Sequence, residues 1–383
     1  MKTKLKTALI IIVIAAIFGG VTYFKLMPES EYKDVDWQSY EHSDIYDSHY
    51  YLNLSTKEKV AYENILKEYR TFPDKIEIPP LSDDELTRVY TAVLYDNPLI
   101  FSMSNSCKIV TDGRAQYFAP DYIMTSEEYE NKLTEITNLT PDLLASLPAG
   151  DYNVELYLHD YIIGRCSYTE KKPGDERNVY GALINGVASC EGYSYAMKYL
   201  CDLFELDCYV IFGRAENKNG DIGNHLWNII NIDGDKYHLD VTWNDTIAKD
   251  DPSGDYRYMY FNVTDDEISQ THSNFKTDDK CTETKANYYV KNNLNFTQFG
   301  EAQKQQLAKL IAAAADEGRS SFSIRFDTTD LFSVAEKSLI KKQQIYPIII
   351  KASKLTDKKI DTKIVHYRSV EDVNVLEFMF SVV

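Results

Sequence analysis

Three residues with complementary chemistry occur in one order along the chain: Cys190, His225 and Asp240. A thiol is a strong nucleophile only as its thiolate. An imidazole can take the thiol proton and return it later, and a carboxylate can orient that imidazole and support its positive charge. Cys190 sits in GVASCEGYSYAMKYLCDLF (186–204), where small and turn-forming residues precede it. Tyr193, Ala196, Met197, Leu200 and Phe204 then recur at helical spacing, predicting an inward-facing stripe on a helix over 189–204. Ser189 is a favourable N-cap, which puts Cys190 in the first turn. There the unpaired N–H groups and the helix dipole favour a thiolate and can stabilise an oxyanion. Gly192 permits a close backbone approach. Glu191 is expected to point to solvent, because an inward charge would oppose the thiolate.

His225 and Asp240 lie in GNHLWNIINIDGDKYHLDVTWND (223–245). Asp233-Gly234 is a strong hairpin signal. It predicts strands over 226–232 and 236–242, following another over 209–213. With those two residues as the turn, Ile232 faces Asp235, Trp227 faces Asp240 and His225 faces Thr242. His225 and Asp240 then form a diagonal pair on one face, about 7–8 Å apart at the backbone. A one-residue slip would put them on opposite faces. His238 falls on the same face, so periodicity leaves two histidines open.

The stretch from about Val154 to Thr264 resembles the transglutaminase-like superfamily, whose catalytic core is papain-like. The resemblance rests on LHDYIIGRCSY (158–168), YGALINGVASCEGYSYAMKYL (180–200), NHLWNIINIDGDKYHLDVTWND (224–245) and YMYFNVTDDE (258–267). It implies an α+β fold with Cys190 as nucleophile, His225 as general base and acid, and Asp240 as orienting carboxylate. The implied activity is acyl transfer from a peptide amide through a cysteine thioester. Water as acceptor gives a cysteine protease or amidase; an amine gives a transamidase, and the motifs do not choose. Tyr180 and Asn185 lie upstream, but neither is placed as an oxyanion donor. A non-catalytic cell-envelope adhesion or scaffold module on the same fold is the alternative, since fold does not dictate function.

Other elements must position this core. Ser55–Glu58 and Ser82–Glu85 are capping-box patterns opening two helices, and residues 99–123 read as a hairpin turning at Asp112-Gly113. Helical patterning from about Ser126 breaks at Pro141 and resumes over 151–164. Glu301 to Glu317, with its alanine run, predicts another helix, and strand-like and helix-like pieces alternate to the C-terminus. The implied organisation is a signal anchor (1–25), a linker (26–48), a small α/β N-terminal domain (49–125), the transglutaminase-like domain (126–270), a linker (271–290) and a C-terminal α/β domain (291–383).

The bulk numbers set the context. The 383 residues exceed one ordinary core. Net charge is −18, which repels phosphate backbones and argues against nucleic acid. No P-loop, dinucleotide fingerprint or zinc-finger spacing occurs, and Asp250, Asp251 and Asp255 lack the spacing of a calcium loop. No cofactor or metal is expected. Lys2, Lys4 and Lys6 precede the uncharged run Ala8 to Phe24. That pattern fits a signal anchor leaving the rest of the chain extracytoplasmic, or a cleaved signal peptide. The expected partners are the membrane and a protein or cell-envelope peptide substrate. Six cysteines are too sparse for a disulfide scaffold, and the thirty tyrosines suit β-rich or recognition surfaces.

Overall fold

The computed structural model describes residues 30–170, 174–216, 220–248 and 255–382. The apolar run Ala8–Phe24, with Asp250 and Asp251, lies outside the described residues. Among the described residues no helix is long and apolar enough to cross a membrane. The chain divides into two compact units, Met1–Thr134 and Glu135–Val383.

In the first unit both capping boxes form, opening the helices Thr56–Glu68 and Asp83–Asp96. They pack with an antiparallel sheet in which Ala115–Tyr122 lies between Ile76–Ile78 and Met103–Asp112. The hairpin turns at Gly113-Arg114, one residue later than expected, because Asp112 pairs with Ala115. Tyr51, Tyr62, Ile65, Val89, Val93 and Phe118 form its core.

The second unit carries the helices Asp151–Ile163 and Cys190–Leu203 and an antiparallel five-stranded sheet. Across that sheet the order is His272–Ser273, Cys208–Glu216, Ile222–Ile232, Asp235–Leu239 and Phe261–Val263. As the pattern predicts, the helix Ser126–Thr137 stops short of Pro141. Pro141 occupies the first turn of a separate short helix, Thr140–Ala145, where its missing N–H has no cost. The Cys190–Leu203 helix is buried on every side from Gly192 to Cys201 rather than along one stripe. Within 271–290, His272 pairs with Ala215 across the sheet edge and Cys281 and Asn287 are fully buried, while residues 282–285 are exposed.

Further along, the helix Glu301–Asp316 covers a four-stranded sheet ordered Asn295–Phe296, Ser321–Phe326, Val375–Val382 and Ile360–Val370. Leu307, Ile311, Phe322, Ile324 and Phe378 fill that core. The architecture is α+β throughout. Tyr62, Tyr193, Tyr209, Tyr237 and Tyr289 are buried, so a good part of the tyrosine content serves packing.

Candidate active site

The Cys190 helix begins where the sequence predicts, with Ser189 extended at its N-cap (φ −88°, ψ 178°). The serine hydroxyl does not cap the helix. It donates to the Glu176 carbonyl (3.2 Å), and the Ser189 N–H donates to the same oxygen (2.8 Å). The 175–177 turn is thereby strapped across the helix start. Gly192 makes this approach possible: a Cβ there would lie 2.6 Å from the Glu176 oxygen and 2.8 Å from the Ala188 Cβ. Glu191 does not point freely to solvent, because Arg177 donates to both its oxygens and offsets its charge beside the thiol.

The hairpin register is the expected one, from Ile232↔Asp235 to Asn228↔Leu239. Asp233 (φ 54°) and Gly234 (φ 93°) are both left-handed, as the two-residue turn requires. One expectation fails, however. The strand ends at Leu239, and a helix, Val241–Ala248, begins directly after Asp240. Asp240 is therefore not a ladder residue facing Trp227, and Thr242 faces no strand partner at His225. Instead Asp240 Oδ1 accepts from the Trp243 N–H (3.0 Å), as an N-cap does. Its own N–H donates to the Tyr260 carbonyl (3.0 Å).

That turn into the helix still delivers the carboxylate to its target. His225 Nε2 donates to Asp240 Oδ2 at 2.7 Å, with His225 6% exposed and Asp240 fully buried. Cys190 is within hydrogen-bonding reach of His225. Since Nε2 is committed to Asp240, Nδ1 is the nitrogen left for the thiol. Burial opposes a charge on His225, but the Asp240 charge and hydrogen bond, with Cys190, outweigh it and push His225 up to about 10. Burial likewise opposes the Asp240 carboxylate. The two imidazoles on Oδ2 outweigh it and hold Asp240 well below the ordinary carboxylate range. The pair is thus an imidazolium–carboxylate pair in protein interior. His238, the other histidine left open by periodicity, accepts from Trp227 Nε1 (3.0 Å) and pairs through Nε2 with Asp265 (3.0 Å). It belongs to the support of the site.

The neighbouring residues explain the rest of the motif. The Asn228 amide donates to the Ser194 carbonyl at 3.1 Å, fastening the Cys190 helix to the sheet. Ser167–Tyr168 pairs in parallel with Val187–Ala188, and the register Tyr168↔Ala188 sets Tyr168 beside the helix start. Cys190 is half-buried and opens on a cleft of about 280 Å³, lined by Tyr168, Glu176, Arg177, Phe212 and Leu226 among others. Burial, with the charges of Cys190 and Glu170, pushes the Tyr168 hydroxyl up to about 12, so it stays protonated and able to donate. Tyr180 instead donates to Glu135 (2.9 Å), and neither it nor Asn185 lines the cleft.

Two residues of the site were not singled out from sequence. Tyr168 ends the LHDYIIGRCSY match, but only the parallel strand pair shows what it faces. His272 Nε2 contacts Asp240 Oδ2 at 3.1 Å from a polar segment with no distinguishing pattern. All six cysteines are free thiols. Burial pushes Cys166 and Cys107 up to about 11 and Cys281 up to about 12, so these are poor nucleophiles at neutral pH.

Among the described residues two clusters have metal-ligand composition: His225, Asp240 and His272, and His238, Asp265 and Cys281, each with its ligand atoms within 4.8 Å of one another. The ring nitrogens facing the carboxylates are committed to hydrogen bonds. In His238 the other nitrogen also accepts from Trp227, so no ring lone pair is free for an ion.

No protein-family model matches this sequence, and no curated protein does. Among solved structures the chain is similar to one from Cytophaga hutchinsonii described as a "putative cysteine protease". The TM-score is 0.24 at 15% identity, over 28% of this chain and 37% of that one. It is also similar to a structure described as a TGase, with TM-score 0.23 and 12% identity, over 42% of this chain and 48% of that one. The chain spans less than half the length of either, and likenesses this low carry no functional weight.

Proposed function

We propose that the second unit is a thiol acyl-transfer enzyme of transglutaminase-like type acting on peptide amide bonds, with Cys190, His225 and Asp240 as its catalytic residues. The supporting observation is the Cys190–His225–Asp240 relay, whose thiol opens on a cleft and whose carboxylate is fully buried. With His225 protonated, Cys190 reacts as the thiolate partner of the imidazolium, and that thiolate adds to the amide carbonyl carbon. The resulting oxyanion is met by first-turn N–H groups of the Cys190 helix and by the Tyr168 hydroxyl. Collapse breaks the C–N bond, His225 gives its proton to the leaving amine, and a thioester remains on Cys190. Water or a second amine then attacks the thioester, losing its proton to His225. The product is a carboxylic acid or a new amide, and the thiol is restored. The uncharged run Ala8 to Phe24 behind Lys2, Lys4 and Lys6 supports the further reading that this chemistry lies outside the cytoplasm, on a membrane tether, with protein or cell-envelope peptides as substrates.

The test is alkylation of the native protein by iodoacetamide near neutral pH, read by mass spectrometry. Cys190 should label much faster than a model thiol and before the five other cysteines. The acceleration should vanish in His225→Ala. Labelling no faster than a model thiol would overturn the catalytic reading and favour an adhesion or scaffold module.

A further inference from the structure

The two histidines on Asp240 differ in how they are held. His225 lies between Asp240 and Cys190 and is 6% exposed, whereas His272 is 1% exposed and enclosed by aromatic rings. Its ring centroid lies 4.8 Å from Trp243, 4.9 Å from Trp227, 5.3 Å from His225 and 5.8 Å from Tyr260. Its backbone is fixed as well, since His272 and Ser273 pair with Ala215 and Arg214 at the edge of the central sheet. The Thr271 hydroxyl lies 2.9 Å from Nδ1, with the Tyr260 hydroxyl 3.4 Å beyond it.

The contact with the carboxylate fixes which ring nitrogen carries a proton. A carboxylate oxygen can only accept, so the Nε2 that meets Asp240 carries a proton. Burial, reinforced by the positive charge of His225 and by His238, outweighs the pull of Asp240 and keeps His272 neutral. Asp240 then holds three donors: the Trp243 N–H on Oδ1, and the His225 and His272 rings on Oδ2. Three donors from three chain segments fix both the position of the carboxyl group and its rotation about the Cβ–Cγ bond.

We infer that His272 is a positioning residue for the relay, a second donor that locks Asp240 so that Oδ2 stays aimed at His225. It touches neither the thiol nor the cleft lining; it acts through Asp240. The inference rests on the acyl-transfer reading only for its effect on rate. The effect on the Asp240–His225 contact stands apart from it.

The experiment uses the intact chain and three substitutions. His272→Gln keeps an N–H that can reach Asp240, His272→Leu fills the space without a donor, and Cys190→Ala is a background without the nucleophile. Thermal melting first identifies which variants are folded. With iodoacetamide, His272→Leu should lower the rate at Cys190 by about tenfold or more, the scale seen when a ligand-orienting partner is removed. It should also move the alkaline limb of the pH–rate profile, where His225 loses its proton. His272→Gln should recover most of the rate and restore that limb. In the Cys190→Ala background, the downfield proton resonance of the His225 Nε2–H should shift or broaden with Leu and return with Gln. Equal behaviour of the Leu and Gln variants in both readouts would overturn the inference, because it would reduce His272 to a space-filling ring. If Cys190 in the parent is no faster than a model thiol, the acyl-transfer reading fails, and the resonance alone still decides whether His272 holds Asp240. Should Leu fail to fold, the inference stands on Gln preserving the resonance and is overturned if a folded Gln variant loses it.

Discussion

Asp240→Asn separates the charge of the buried pair from the geometry that delivers it. Asparagine caps a helix about as well as aspartate and has nearly the same volume, so the turn into Val241–Ala248 should survive. What disappears is one negative charge 2.7 Å from His225 Nε2. With that charge present, His225 is lifted from 6.5 to about 10, against burial that would otherwise keep it neutral. At about 1.4 kcal/mol per unit, the lift corresponds to ~5 kcal/mol of differential stabilisation. Removing one member of a buried pair commonly costs about 3–5 kcal/mol. The pH window follows from the directions. The folded value of His225 is above its unfolded one, so its contribution is full below about 6.5 and fades as pH rises through about 10. The folded value of Asp240 is below its unfolded one, so its contribution is present above about 4 and is lost only in stronger acid. The gap between parent and variant is therefore widest near pH ~5–6 and narrows toward pH ~10. Urea unfolding at about pH 5.5, 8 and 10 measures it. We expect a loss of about 3–5 kcal/mol at the lowest of these, shrinking by more than half at the highest. A gap that stays constant with pH would refute the ion pair, leaving Asp240 as a helix cap and hydrogen-bond acceptor only.

Three further outcomes follow from the geometry around the thiol. Tyr168→Phe removes the protonated hydroxyl that lines the cleft, and should slow the acylation burst with p-nitrophenyl acetate by about 10²-fold. The alkylation rate of Cys190 should change little, because alkylation forms no oxyanion; equal slowing of both reactions would show that Tyr168 supports the thiol instead. Gly192→Ala drives a Cβ to 2.6 Å from the Glu176 carbonyl, and should cost about 1–3 kcal/mol in thermal or urea unfolding, with no loss meaning that the strap across the helix start is loose. Asn228→Ala leaves the buried Ser194 carbonyl without its amide donor and should cost about 1–3 kcal/mol, while a change below about 0.5 kcal/mol would show that the helix is held by apolar packing alone.

The parts of this site legible in sequence are those set by local rules. The start of the Cys190 helix follows from Ser189 and the residues after it, and the hairpin register follows from Asp233-Gly234, whose left-handed pair of residues permits one pairing. The strand leading to Asp240 was harder to bound. Val241 and Thr242 are β-branched and read as a continuing strand, but Asp240 caps the following turn, and its backbone N–H is drawn to Tyr260. A good N-cap before a short helix was the available signal, and propensity at two positions outweighed it. His272 had no such signal. Its neighbours are polar, its spacing matches no period, and it becomes part of the site only because two residues add an edge strand beside Ala215 and Arg214.

That difference bears on how the relay works. Asp240 follows directly on a strand, caps a helix and accepts from two imidazoles, so its carboxylate cannot turn without breaking a contact to another segment. A carboxylate held by one histidine alone could rotate out of line, and the imidazolium it supports would then be left buried and poorly compensated. The added donors limit that motion. Because His272 remains neutral, they do so without placing a second positive charge against His225. The three residues proposed to carry the chemistry can be read along the chain, but the rigidity of their arrangement comes from contacts distant in sequence.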